Sequence, residues 1–96
     1  MDFEFKKRYD INDMLKIMAI LRSENGCPWD KEQDHHSIRK DFIEEVYEAV
    51  EAIDLEDTEL LREELGDVLL QVVFHSRIEE EKGSFDFGDV VNEVCQ

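Results

Sequence analysis

The sequence predicts an all-α fold. Four stretches carry apolar residues at helical spacing, each preceded by an Asp, Asn, Ser or Thr suited to capping a helix. No stretch alternates apolar and polar residues long enough to predict a strand. The chain has 96 residues, 42% of them hydrophobic, with one proline and four glycines, which is typical of a folded domain and excludes a disordered tail. One domain spanning residues 1–96 is therefore expected.

The first predicted helix begins after a cap at Asp10 or Asn12 and ends near Glu24. Its apolar stripe contains Ile11, Met14, Leu15, Ile17, Met18, Ile20 and Leu21. A loop is predicted from Asn25 to about Asp34, because Asn25-Gly26 is a typical helix stop and Pro28 disfavours helical geometry at the residue before it.

Two longer helices are predicted in the middle of the chain, separated by a polar turn over residues 54–57. Because the turn is short, these helices should lie antiparallel. A fourth helix, capped by Asp86, should continue to the end of the chain. The predicted bounds of the two long helices are Asp34 or Ser37 to about Ile53, and Asp57 or Thr58 to about Glu81.

The charge of the chain limits its partners. The 26 acidic residues exceed the 11 basic ones, giving a net charge of −15 that repels nucleic acids and anionic membranes. The two cysteines form no metal or disulfide motif, and no segment is long and apolar enough to span a bilayer. We therefore expect a cytoplasmic protein with no nucleic-acid or membrane partner. A helical chain this short is also expected to complete its core as a homo-oligomer, a dimer or tetramer.

Acidic residues on the two long helices form the strongest candidate site. Glu45 and Glu48 lie on one face of the first helix, and Glu64 and Asp67 on one face of the second, so antiparallel packing should bring the two pairs together. Converging carboxylates repel one another unless a cation binds them, and oxygen ligands select Mg²⁺ or Mn²⁺ over zinc. Such a site suits metal-assisted phosphate chemistry.

Two other interpretations of these residues have to be considered. Most acidic helix surfaces are simply solvated, although both pairs here border an apolar stripe and few basic residues lie nearby. A di-metal oxidoreductase is suggested by Glu32-x-x-His35, but it normally requires two such pairs. His75, on the apolar third predicted helix, is expected to be a hydrogen-bonded core residue.

Three motifs follow one another along the chain. They are Gly26-Cys27-Pro28-Trp29-Asp30-Lys31-Glu32-Gln33, Glu44-Glu45-Val46-Tyr47-Glu48, and the run from Arg62 to His75 that contains Glu64-Leu65-Gly66-Asp67. In their order and length together, these motifs resemble the MazG nucleotide pyrophosphohydrolase family. The resemblance implies an all-α helical bundle in which dimerising helices build the active site. It also implies hydrolysis of nucleoside triphosphates between the α and β phosphates, giving a nucleoside monophosphate and pyrophosphate.

Specific roles follow from the same resemblance. It implies Mg²⁺ ligation by Glu45, Glu48, Glu64 and Asp67, with Glu44 assisting a second ion or orienting the attacking water. The family's domain usually continues with a short basic stretch, so this chain, which stops at Gln96, is expected to be truncated at its C-terminal end. The alternative function is a non-catalytic helical module for nucleotide binding or oligomerisation.

Three residues of the predicted loop are candidate substrate contacts. Trp29 has an aromatic face on which a nucleobase could stack, or it could anchor the loop to the bundle. Lys31 and Gln33 are candidate phosphate or base contacts, although exposed loop residues are usually solvated.

Overall fold

A computed structural model describes residues 3–96 and confirms the all-α fold class. Five helices follow one another: α1 (Ile11–Leu21), α2 (Pro28–Glu32), α3 (His35–Asp54), α4 (Thr58–Lys82) and α5 (Phe87–Cys95). Residues 3–96 contain no strand. None of the helices in this part of the chain has the length and hydropathy needed to cross a bilayer.

Helix α1 begins at the cap predicted for it and ends earlier than predicted. Asp10 accepts a hydrogen bond from the Asp13 backbone N–H, and the Asp13 carboxylate accepts one from the Asp10 N–H. The helix ends at Leu21 rather than near Glu24. In the turn that follows, a Cβ at position 26 would lie 2.2 Å from the carbonyl oxygen of Ile20, so only glycine fits at Gly26.

The prediction of an uninterrupted loop from Asn25 to Asp34 is wrong, because Pro28 begins the short helix α2. Proline is a helix breaker in the interior of a helix, but at the first position its missing N–H is not needed and its fixed φ suits the helix. Cys27 caps α2 in an extended conformation, with φ −78° and ψ 118°. The residue before proline is therefore extended, as predicted, while the helix begins at the proline itself.

Helices α3 and α4 form a long antiparallel hairpin, as predicted. Asp34 caps α3 by accepting from the Ser37 N–H at 2.8 Å, and Asp57 caps α4 by accepting from the Leu60 N–H at 3.0 Å. Only residues 55–57 join the two helices, with Glu56 in the left-handed region at φ 55°. This short connection fixes which residues of α3 face which residues of α4.

The hydrophobic core lies where α1 and the N-terminal end of α3 pack against the C-terminal half of α4. Its buried members are Met18, Ile38, Val73, Phe74 and Ile78, and Phe87 of α5 packs against them. The apolar residues at helical spacing on α3 are Ile38, Phe42, Ile43, Val46, Val50 and Ile53. Of this stripe, only Ile38 is buried. Toward the hairpin turn the stripe stays uncovered, since the Ile43 side chain is 65% exposed and that of Ile53 is 57% exposed.

Candidate metal centre

Three carboxylates converge between α3 and α4. One oxygen from each of Glu45, Glu48 and Glu64 lies within 4.8 Å of the other two. Glu45 and Glu48 are one turn apart on α3, and the short α3–α4 connection places Glu64 opposite them. The structure therefore brings together three of the four residues predicted as metal ligands.

The electrostatics of the group are unfavourable without a cation. Burial, together with the neighbouring Glu48, Asp67 and Glu45 carboxylates, raises the pKa of Glu64 to about 7. Burial and the charges of Glu48 and Asp67 also raise the pKa of Glu45. One oxygen each of Glu45 and Glu64 is buried with no hydrogen-bond partner, and no Lys or Arg among residues 3–96 forms an ion pair with the group. Among the described residues, only protonation of a carboxylate can reduce the repulsion between these charges.

Asp67 and Glu44 lie outside this group of three. Asp67 is half-buried on α4, close enough for its charge to raise the pKa values of Glu45 and Glu64, but it is not among the three converging oxygens. Glu44 lies on the exposed side of α3, where its carboxylate is 3.9 Å from the Lys40 ammonium. The structure thus places Asp67 beside the centre and Glu44 away from it.

The three candidate substrate contacts lie at the far end of the hairpin. The Trp29 side chain is 60% exposed, the Gln33 amide donates to the Trp29 carbonyl at 2.9 Å, and the Lys31 ammonium is 3.5 Å from the Glu24 carbonyl. His35 at the start of α3 is separated from Glu45 by about 15 Å of helix. Within one chain, the structure does not bring these three residues to the carboxylates.

Arg22, which no sequence pattern singled out, fixes the position of α2. Its guanidinium donates to both carboxylate oxygens of Glu81 at 2.8 and 2.9 Å, and to the backbone carbonyls of Asp30 and Gln33 at 2.6 and 3.0 Å. It also lies 5.4 Å from the centre of the Phe74 ring. A single side chain therefore joins α1, α2 and α4.

A second polar cluster lies between α3 and α4 near α2. The Nδ1 atoms of His35 and His75 are 2.7 Å apart, and His35 Nε2 is hydrogen-bonded to Glu79. This contact confirms that His75 is a hydrogen-bonded residue of the helix interface. His75 Nε2 and, one turn earlier on α4, Gln71 Oε1 are buried without a partner. The sequence analysis singled out His35 and His75 separately, but no sequence pattern indicated that they would meet or that Gln71 would lie beside them.

Hard divalent cations suit the carboxylate group better than they suit the histidine cluster. The carboxylate group offers only oxygen ligands, carries excess negative charge and has two buried oxygens without partners, which fits Mg²⁺ or Mn²⁺. Three carboxylates would leave some coordination positions of such an ion open. Water and phosphate oxygens could fill these open positions beside the protein ligands.

Comparison with known proteins gives the family. Residues 33–96 match the model of the MazG nucleotide pyrophosphohydrolase domain. The chain is 51% identical over 79 residues to the nucleoside triphosphate pyrophosphohydrolase/pyrophosphatase MazG of Thermotoga maritima, covering 82% of this chain and 31% of that protein. It is 52% identical over 81 residues to the nucleoside triphosphate pyrophosphohydrolase of Escherichia coli K12, covering 83% and 31%.

A third relative is longer still. The chain is 48% identical over 88 residues to the uncharacterized protein YabN of Bacillus subtilis, which covers 92% of this chain and 18% of that protein. The chain thus spans less than a third of the length of each of these relatives. The family match nevertheless includes α3, α4 and α5, with all the converging carboxylates. This chain belongs to the MazG nucleotide pyrophosphohydrolase domain family.

Proposed function

We propose that this chain hydrolyses nucleoside triphosphates to nucleoside monophosphates and pyrophosphate, with Mg²⁺ bound by Glu45, Glu48, Glu64 and Asp67. The observation that carries the proposal is the convergence of three carboxylates, two of which, Glu45 and Glu64, have a buried oxygen without a hydrogen-bond partner. Membership of the family and the names of the relatives from Thermotoga maritima and Escherichia coli support it. Mn²⁺ is the alternative ion, because it accepts the same oxygen ligands.

The chemistry of the reaction assigns a clear task to the carboxylates. A bound divalent cation would polarise the phosphate, offset its charge and lower the pKa of a bound water. Glu45, Glu48 and Glu64 would hold the cation from both helices, and Asp67 would complete the set from α4. Water then attacks the α-phosphorus, the bond to the bridging oxygen breaks, and pyrophosphate leaves while the water proton passes to a base or to solvent.

The role proposed for Glu44 rests on the family resemblance. Its distance from the three converging oxygens makes it a candidate for orienting water or a second ion rather than for holding the first. Glu44→Gln should therefore lower turnover without changing the affinity of the chain for the first Mg²⁺ ion. The candidate nucleotide contacts are still Trp29, Lys31 and Gln33. Because they lie far from the carboxylates of their own chain, we expect them to contact a nucleotide bound to the carboxylates of a neighbouring chain.

A homo-oligomer, a dimer or tetramer, is part of the proposal. Near the carboxylates α3 presents a row of uncovered apolar side chains: Tyr47 is 73% exposed, Ile43 65% and Val50 49%. A monomer rarely leaves so many large apolar groups of one helix in water, so a second copy is the expected cover. The free cysteines Cys27 and Cys95 suit the reducing cytoplasm, and the net charge of −15 disfavours nucleic-acid partners.

The proposal is tested by replacing one metal ligand without changing its shape. Glu48→Gln should lower the release of pyrophosphate from a panel of nucleoside triphosphates by more than about 100-fold, since even outer-shell changes at metal sites cost about 10- to 100-fold. Glu51→Gln, the same change at an exposed position one turn further along α3, is the matched control and should keep full activity. EDTA should abolish activity of both the parent chain and the control.

The outcomes separate the two functions considered. Metal-dependent monophosphate production that is lost only in Glu48→Gln supports the enzyme. Undiminished activity in Glu48→Gln would overturn the metal assignment. A folded chain that binds Mg²⁺ and nucleotide but releases no pyrophosphate would support the non-catalytic module instead.

A further inference from the structure

The histidine cluster between α3 and α4 has a geometry that depends on protons. The imidazole rings of His35 and His75 are parallel within 4°, and their Nδ1 atoms are 2.7 Å apart. A contact this short requires one nitrogen to carry a proton and the other to present a lone pair. Two protonated nitrogens would repel each other, and two lone pairs would do the same. The pair therefore shares a single proton at this position.

Glu79 fixes which nitrogens of His35 are protonated. The His35 Nε2–H donates to the Glu79 carboxylate, and this hydrogen bond lowers the pKa of Glu79 and keeps it ionised. When His35 is neutral, its only proton is thus on Nε2, and Nδ1 must accept from the Nδ1–H of His75. When His35 is an imidazolium, its Nδ1–H donates instead, and His75 must carry its own proton on Nε2.

His75 stays neutral in both states. Burial, and then the charge of nearby His35, lower the pKa of His75. The Phe42 ring also packs against the His75 ring, with ring centroids 5.2 Å apart. Neither the Phe42 ring nor the His35 imidazole offers a negative charge that could stabilise a positively charged His75. A proton taken up by the pair is therefore held on His35, beside the Glu79 carboxylate.

We propose that Glu79, His35 and His75 form a proton relay, in which protonation of His35 near the surface reverses the hydrogen-bonding polarity of His75 Nε2 in the interior. The His35 side chain is 32% exposed, whereas His75 Nε2 is buried without a partner. The Nε2 atom accepts in one state and donates in the other, with no change of charge at His75. The relay does not depend on the function proposed above.

Gln71 is the residue placed to respond. Its Oε1 is also buried without a partner, and it lies one helical turn, about 6 Å along the axis, from His75. A protonated His75 Nε2 is a donor suited to the acceptor Gln71 Oε1. An unprotonated Nε2 is an acceptor suited to the Gln71 NH₂ group, which a flip of the amide would turn toward it. The relay thus links the proton content of His35 to the orientation of an amide one turn from Asp67.

Other charged groups lie around the relay. On α4, the Lys82 ammonium is 3.5 Å from Glu79 and weakens the attraction between Glu79 and an imidazolium. At the start of α3, the capping residue Asp34 and the helical residue His36 flank His35 in sequence. From α1, Arg22 is engaged by Glu81 and by the carbonyls of α2, so its charge is paired.

The test follows the ring nitrogens by NMR. The ¹⁵N-labelled chain is titrated from about pH 8 to about pH 5, the range in which histidine ordinarily changes charge, using long-range ¹H–¹⁵N correlations. His75 should carry its proton on Nδ1 at high pH and on Nε2 at low pH, and this change should have the same midpoint as the titration of His35. A His75 that keeps one tautomer throughout, or that becomes an imidazolium before His35 does, would overturn the proposal.

Variants separate the relay from nonspecific pH effects. Glu79→Gln removes the partner of the imidazolium, so the pH at which His35 changes its proton content and the pH of the His75 tautomer change should move together, by the same amount. His36→Gln alters an exposed neighbour with no hydrogen bond in this cluster and should leave the tautomer change intact. Unequal shifts of the two midpoints in Glu79→Gln would refute the coupling. The titration of the unaltered chain decides the question even if the Glu79 variant does not fold.

Discussion

Arg22→Ala should destabilise the chain by an amount that its contacts define. The Arg22 side chain is only 7% exposed, and the substitution removes two charged hydrogen bonds to Glu81 and two to backbone carbonyls. Removing one partner of a fully buried ion pair costs about 3–5 kcal/mol. Glu81 is 32% exposed and keeps a contact with Arg77 at 3.3 Å, so we expect a loss of about 2–4 kcal/mol.

Arg77→Ala is the matched control for this prediction. Arg77 contacts the same Glu81 carboxylate and also Glu80, but it is 29% exposed and pairs only within α4. Pairs of this kind contribute about 0.3–0.5 kcal/mol. Equilibrium unfolding in guanidinium chloride, followed by helical circular dichroism, gives both free energies. A loss below about 1 kcal/mol in Arg22→Ala, or equal losses in the two variants, would refute the role assigned to Arg22.

The same substitution should release α2 locally. This helix has no buried residue of its own, and the guanidinium donates two of the hydrogen bonds that join it to the bundle. Trp29 is the only tryptophan of the chain, and its fluorescence therefore reports on α2 alone. In Arg22→Ala its anisotropy should fall at denaturant concentrations where α3 and α4 are still helical. Unchanged anisotropy would show that other contacts hold α2.

Two further predictions concern the carboxylates and the uncovered face. Because the pKa of Glu64, about 7, lies above its ordinary 4.5, protonated Glu64 favours the folded chain, and this contribution is lost as the pH rises through 7. Mg²⁺ binding should release about half a proton at pH 7 and almost none at pH 9, measured by calorimetry in buffers of different ionisation enthalpy; pH-independent release would contradict this pKa. Tyr47→Lys should shift the sedimentation equilibrium toward monomer, and an unchanged mass would mean that this face is not the interface.

Local features of the fold could be predicted from the sequence. Caps at Asp34, Asp57 and Asp86 depend on hydrogen bonds to residues three positions away, and such spacings are visible without a structure. The convergence of Glu45, Glu48 and Glu64 followed from helical periodicity and a short turn. Their raised pKa values depend on burial, which periodicity alone does not give.

Features that depend on distant residues could not be predicted. Arg22 and Glu81 meet across 59 positions of the chain, and His35 and His75 across 40. No local pattern indicates which charge will be buried against which partner. The error at α2 has a different origin, since Pro28 satisfies the rule for a helix breaker and the rule for a first helical residue equally well. Only the geometry of the preceding turn distinguishes the two.

The three-residue connection between α3 and α4 also has a consequence for folding. Contacts between neighbouring elements require little loop closure and form early, so the hairpin should be present before α1 docks on it. The carboxylates should then approach one another before α1 docks, while water still surrounds them. Salt and divalent cations should therefore accelerate the folding of this chain, in addition to slowing its unfolding, because they screen repulsion that is already present in the transition state.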